Sequence, residues 1–220
     1  MSLVSEIRME EVDGFHVGVV VFGERMECLS SAVLNGGDSL ADALFIMQVP
    51  RDYSERDPRA HAASVRDRLG LPEDTVGMMT AAEVARVFNV AEGECDGVRV
   101  SAVATAGLSN HVVAGETLDN YPERRLVSDR RAAALAGTIN IAVISPVPLT
   151  TEGKVNMMIP LVEAKSAAMA DRGYRETGTT SDAMAVLCPV GGGRVGYTGT
   201  GSSIGIAAAR AGRSAVGYAL

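Results

Sequence analysis

The residue most at odds with its surroundings is Asp182, which stands between Thr179-Thr180-Ser181 and the apolar run that begins at Ala183. A carboxylate entering a buried strand is costly unless it is paired or functional, so Asp182 is the leading candidate for a general base. Glu163 and Lys165 follow as catalytic candidates. Two residues apart in a helical stretch, they face different sides and cannot form the usual i,i+4 pair. One of them is therefore expected to point at a site or a charged partner, the other at solvent. The three histidines offer less: His16 leads an apolar strand, His61 lies on an exposed helical stretch, and His111 follows Ser109-Asn110. Neither a GxSxG elbow nor an HExxH pair is present. Cys28, Cys95 and Cys188 are far apart and lack metal-ligand spacing, so they are expected to be reduced thiols and no metal site is assigned.

Hydroxyls and glycines recur in four short segments: LSSAVLNGG (29–37), GMMTAA (77–82), TAGLSN (105–110) and TGTGSS (198–203). Three of these are expected to open a helix. A helix N-terminus leaves backbone N–H groups free and carries a positive dipole end, so such loops can hold an anion, an amide carbonyl or an oxyanion. Thr105, Ser109, Thr198 and Thr200 are candidates for such contacts. TGTGSSIG also suggests a nucleotide loop, but Gly205 leaves too little chain for a βαβ unit, and no Gly-Lys-Ser/Thr follows.

The elements that must position these groups follow from hydrophobic periodicity. Strands are expected at Val17–Phe22, Ala43–Val49, Val98–Ala104 and Ile139–Ile144. Helices are expected at Pro58–Leu69, at Thr80–Phe88 with Thr80 as N-cap, and at Glu152–Arg172, where Pro160 should kink or divide the helix. Ala183–Leu187 and Arg194–Tyr197 read as a hairpin around Gly191-Gly192-Gly193, and Ser202–Arg210 as a helix of small residues that packs close to a sheet. Interleaved helices and strands with one tight turn give an α/β (mixed α+β) fold, with mixed sheet covered by helices in a single domain over residues 1–220.

The net charge of −7 argues against a nucleic-acid partner and against an anionic membrane surface. No long apolar run or leader-like N-terminus is present, so the cytoplasm is the expected compartment. The sequence neither requires nor excludes a homodimer, the commonest symmetric oligomer of soluble proteins.

Seven stretches taken in order resemble the adenosylcobinamide amidohydrolase family: LSSAVLNGG (29–37), VGMMTAA (76–82), VATAGLSN (103–110), GTINIAV (137–143), LVEAKSAAM (161–169), TGTTSDAMAV (177–186) and YTGTGSSIG (197–205). The chain departs from the family pattern at His111, Pro160 and Val162. The resemblance implies hydrolysis of the amide joining aminopropanol to a corrin ring, giving adenosylcobyric acid and 1-amino-2-propanol from adenosylcobinamide, with a complete cobamide as the alternative substrate. It also implies a corrinoid as substrate; the residues themselves require no further cofactor and leave both metal assistance and the nucleophile, a Ser or Thr hydroxyl or a base-activated water, open. The rim of such a substrate is made of neutral amides, which call for neutral donors and acceptors. On the matching stretches these would be Ser30, Ser31, Asn35, Gly36, Thr80, Thr105, Ser109, Asn110, Asn140, Thr180, Thr198 and Thr200. Two rivals remain at this stage: a corrinoid-binding protein without catalysis, and a phosphate or nucleotide enzyme using the helix N-termini.

Overall fold

Two Asp-Gly pairs set the turns of the first and third hairpins. Asp13 (φ 54) with Gly14 (φ 80) joins β1 (Val4–Val12) to β2 (Phe15–Ser30), and Asp96 (φ 49) with Gly97 (φ 77) joins β5 (Asn89–Cys95) to β6 (Val98–Ala106). Consecutive left-handed residues match the twist of the flanking strands, and Asp and Gly tolerate them best. The structure is a computed structural model and describes residues 3–116 and 137–220. Its remaining strands are β3 (Gly37–Gln48), β4 (Thr75–Thr80), β7 (His111–Val112), β8 (Ile139–Ile144), β9 (Gly178–Thr179) and β10 (Ala183–Pro189). The described helices are α1 (Pro58–Arg68), α2 (Val84–Val87), α3 (Thr151–Asp171) and α4 (Ser203–Ala219).

The main sheet runs β4-β3-β2-β10-β8-β6-β5 and mixes parallel pairs (β3 with β4, β8 with β10) with antiparallel ones. β2 is long enough to serve two neighbours on one edge: Phe15 to Phe22 pairs with β1, and Met26 to Ser30 pairs with β10. Between these halves, Phe22 to Arg25 stand opposite the single residue Asp42 of β3. Extra residues on one strand bend it and increase its twist. Arg25 pins this bulge by gripping Asp42 with two hydrogen bonds of 3.0 and 2.8 Å.

The sheet coils far enough to touch itself. Asn140 at the start of β8 donates from Nδ2 to the Met79 carbonyl at the end of β4, although β3, β2 and β10 lie between them in the strand order. Alternate residues consequently belong to different cores. Leu44, Ile46, Val76, Met78, Ala142, Ile144, Ala185 and Leu187 fill the inside of the coil. Ile141, Val143, Val186 and Cys188 face the helices α3 and α4, while Phe45, Met47, Ala62 and Val65 pack α1 against the other outer face. The architecture is therefore the mixed α/β sheet covered by helices that the sequence led us to expect.

Four expectations need correction. Thr80 ends β4 instead of capping a helix, and its Oγ1 accepts the Ala82 N–H at 3.1 Å. The helix there shrinks to Val84–Val87 because the chain must rejoin the sheet as β5. The hairpin around Gly191–Gly193 does not form: β10 already has β2 and β8 on its two edges, and Val195 makes only an isolated bridge to Leu149. Of the four small polar segments, only 198–203 opens directly into a long helix, with Ser202 Oγ accepting the Gly205 N–H. Segment 29–37 is instead the link between β2 and β3, and 105–110 leads to β7. Pro160 does not divide its helix, which runs unbroken from Thr151 to Asp171 with Pro160 buried.

Candidate active site

Asp182 precedes β10 and makes contacts in three directions. Its carboxylate accepts the Thr179 N–H at 3.1 and 3.2 Å, the Thr179 hydroxyl at 2.5 Å and the Ile139 N–H at 3.1 Å. Lys165 of α3 completes the set with Nζ 2.5 Å from Oδ2. A carboxylate has about four lone-pair positions, and here donors occupy all of them. The pair is largely buried, with side-chain exposures of 9% for Lys165 and 12% for Asp182. Asp182 thus ties the starts of β8 and β10 to one helix. Gly178 is what lets the ion pair close: a Cβ there would lie 2.3 Å from Asp182 Oδ2 and 2.4 Å from Lys165 Nζ.

On the other side of these strand starts lies a cleft of about 340 Å³. Ser31, Thr80, Thr138, Asn140 and Ser181 give it a polar lining, while Val33, Val49, Tyr53, Pro58 and Met79 give it apolar walls. Asp182 and Lys165 are not among its lining residues, though Ser181 and Ala183 on either side of Asp182 are. Thr138 and Ser181 place their hydroxyls 2.9 Å apart, and Ser181 Oγ also donates to the Gly137 carbonyl at 3.0 Å.

Asn140 is fully buried and its orientation is fixed by its neighbours. Nδ2 donates to Met79 O and to Thr105 Oγ1, both at 3.1 Å, and only the nitrogen can face the Met79 carbonyl. Oδ1 has no donor among the described residues. Leaving a buried acceptor unmet costs about 1–3 kcal/mol, which a bound donor would recover.

The residues singled out in the sequence fall into distinct places. Ser31, Thr80 and Asn140 meet in the cleft, with Thr105 behind Asn140. Ser30 is buried next to Ser31, where its Oγ takes the Ala32 N–H. Asn110 and Thr180 join the neighbouring loops, Asn110 Nδ2 donating to Thr180 Oγ1 at 2.6 Å, and Ser109 is exposed beside them. Asn35 shapes a turn: its φ is 52 and its Nδ2 donates to the Glu73 and Thr75 carbonyls, while Gly36 packs against the Ala32 carbonyl. Glu163 is exposed on the side of α3 away from Lys165.

Thr198 and Thr200 lie at the other end of α3. Thr198 Oγ1 donates to Gly153 O at 2.7 Å. Gly153 is twelve residues from Lys165, or about 18 Å along a helix. Among the histidines, His61 is half buried with Nδ1 2.8 Å from the Tyr53 hydroxyl, and His111 sits 3.0 Å from Glu176. Burial pushes the Cys28 thiol up to about 12, so it carries no thiolate at neutral pH.

Sequence reasoning passed over Thr138 and Lys154. Thr138 lies in the GTINIAV stretch just before a strand, and its neighbour Asn140 drew the attention. Lys154 is eleven residues before Lys165, about three helical turns, so both lysines share the sheet-facing side of α3. That spacing was visible in the sequence. Lys154 is 2% exposed at its side chain and binds Glu27 at 3.2 Å and Asp38 at 3.0 Å; Arg194 also pairs with Glu27, at 2.5 Å.

A family model described as adenosylcobinamide amidohydrolase matches residues 2–220. The chain is 33% identical over 190 residues to the adenosylcobinamide amidohydrolase of Halobacterium salinarum, covering 83% of this chain and 75% of that protein. It is 30% identical over 156 residues to the adenosylcobinamide amidohydrolase of Methanosarcina mazei, covering 71% of this chain and 66% of that one. No described helix is long and apolar enough to cross a membrane. Match and motif order agree, and this chain belongs to the adenosylcobinamide amidohydrolase family, hydrolases that act on an amide C–N bond.

Proposed function

We propose that this protein hydrolyses the amide joining aminopropanol to the corrin ring of adenosylcobinamide, and that the amide arm enters the cleft between the end of β4 and the starts of β8 and β10. The observation that carries the assignment of the site is the convergence of hydroxyls and an unmet amide oxygen on one cleft, braced from behind by a buried ion pair. A space of about 340 Å³ is at the low end of what small-molecule sites offer, so it takes the arm while the macrocycle rests at the mouth. The apolar walls of Val33, Val49, Tyr53 and Pro58 suit that contact.

Amide hydrolysis adds water across the C–N bond, with hydroxide equivalent to the carbonyl carbon and a proton to the departing nitrogen. Thr138 and Ser181 are the hydroxyls placed to hold an attacking water through their lone pairs, since Ser181 gives its hydrogen to Gly137 O and Thr138 gives its own to Ser181. Ser31 and Thr80 line the same space and serve as further contacts. Asp182 has no lone pair to spare, so its role is to position: it fixes Lys165 and the strand starts that present Thr138 and Ser181. Asn110, Ser109 and Thr180 belong to the loops that frame this end. Asn35, Gly36, Thr198 and Thr200 contribute to folding, and Glu163 to the solvated surface.

The rival readings have less behind them. A phosphate site at helix N-termini would need the polar loops to open long helices, and two of the four lead to strands while a third leads only to the four-residue α2. A binding protein without turnover has no feature of its own in its favour. The family match over residues 2–220 supports treating the chain as one amidohydrolase unit. The net charge of −7 supports an enzyme without nucleic-acid partners, and light scattering would read whether it forms a homodimer. Incubation with adenosylcobinamide, followed by chromatography with mass detection, should yield adenosylcobyric acid and 1-amino-2-propanol. Folded protein that releases neither would refute the assignment.

A further inference from the structure

We propose that Asn140 reads the scissile bond itself: its Oδ1 accepts the amide N–H, and this contact selects an N–H-bearing amide over both an ester and the carboxylate product. The inference rests on the hydrolase assignment above and adds the group that recognises the reacting nitrogen.

Asn140 lines the cleft yet is fully buried, and its amide plane cannot turn. Both Nδ2 hydrogens are committed, one to the Met79 carbonyl of β4 and one to Thr105 Oγ1 of β6. Bracing the closure of the coiled sheet accounts for that nitrogen and leaves the oxygen unexplained. Oδ1 is an acceptor with no donor among the described residues, and Asn140 shares the cleft lining with Thr138 and Ser181. The cleft hydroxyls do not fill it, since Ser181 donates its hydrogen to Gly137 O and accepts that of Thr138.

A locked acceptor asks for a ligand that donates. The amide arm has one such group at the reacting bond, its N–H. During hydrolysis that hydrogen stays on nitrogen while the C–N bond breaks and nitrogen gains the proton supplied by water. Asn140 therefore keeps its partner through cleavage and passes it to the departing amine. The other product, a carboxylate, presents only lone pairs to Oδ1, so it is repelled and leaves. A site built to satisfy a substrate N–H rejects analogues that lack it far more strongly than a hydrophobic pocket rejects a missing methylene.

The test compares adenosylcobinamide with its ester analogue, in which oxygen replaces the amide nitrogen, on the unaltered protein and on Asn140→Ala. Esters are chemically the more labile, so an indifferent site would hydrolyse the analogue faster. The unaltered protein is expected to show a KM for the ester at least about tenfold above that for the amide. Asn140→Ala is expected to lose about 100-fold in kcat/KM on the amide and less than about threefold on the ester. Equal losses on both substrates would reduce Asn140 to a structural brace and overturn the proposal. Faster ester hydrolysis at equal KM by the unaltered protein would overturn it too, without need of a variant that folds. Failure of the unaltered protein to cleave either compound would refute the hydrolase assignment and this contact with it, whereas amide turnover without discrimination would refute the contact alone.

Discussion

Helix α3 carries two buried lysines on one face, and the two ends of the helix have been put to different uses. Lys154, in its first turn, is held by Glu27 and Asp38, and Arg194 completes the group from the loop after β10. Burial works to lower its pKa, yet its hydrogen bonds to Asp38 and Glu27 and the charges of those two carboxylates together outweigh burial and hold it above the ordinary lysine value. Lys165, three turns on, has one carboxylate, and that carboxylate is also tied to two backbone N–H groups and a hydroxyl. Beyond it lie a cleft and an amide oxygen without a donor. A polar cluster satisfied within itself holds a fold together. One that stiffens the wall of a cleft while leaving an acceptor open is arranged for a ligand.

The comparison breaks most easily at Lys154. Lys154→Met leaves Glu27 with Arg194 alone and Asp38 without its cation, and is expected to cost about 3 kcal/mol, read by urea unfolding. Turnover per folded molecule should stay within about twofold of the unaltered protein. Next comes Lys165→Met, expected to lower kcat about 100-fold through misplaced cleft groups while KM changes less than about threefold. Its stability cost should be smaller, about 1–3 kcal/mol, because Asp182 keeps the donors of Thr179 and Ile139. Gly178→Ala sharpens the same point without removing a charge. Its Cβ must part Lys165 from Asp182, and a fall of about tenfold in kcat is expected. Gly217→Ala, where a Cβ meets nothing within 4 Å, should leave the rate unchanged.

The smallest effect is one of pH. The Arg194 guanidinium, with Lys154, holds Glu27 below the ordinary glutamate range. A carboxyl whose folded pKa is depressed lends stability above its unfolded pKa, about 4.3, and loses it as pH falls through the folded value. Thermal melting should therefore decline on acidification below about pH 4, and Glu27→Gln should flatten that decline. An unchanged acid limb in the variant would remove Glu27 from the account.

Much of the architecture could be read from periodicity. The run Ile139–Ile144 is a strand with the expected ends, and Pro58 and the small residues after Ser202 mark helices that form. The misses have local causes. β1 alternates charged and apolar residues on an exposed face, which hides it from a search for apolar runs, although Asp13-Gly14 was a readable hairpin signal. Thr80 and Glu83 have capping-box spacing, but pairing of Met79 and Thr80 with β3 outweighed it. At the site, Asp182 and Lys165 stood out as charges in apolar stretches and do meet. That they meet behind the cleft depends on the coiling of the sheet, which joins β4 to β8 across three intervening strands and has no local signature. Thr198 and Thr200, chemically akin to the cleft hydroxyls, lie at the other end of α3, where Thr198 is held by Gly153 and Asn156.

The most direct test of the account measures adenosylcobinamide turnover, normalised to folded protein, in Lys165→Met and Lys154→Met side by side. The account predicts a loss of about 100-fold in the first and nearly full activity in the second. Full activity in Lys165→Met, or an equal loss in Lys154→Met, would contradict the placement of the active site at the Lys165 end of the helix.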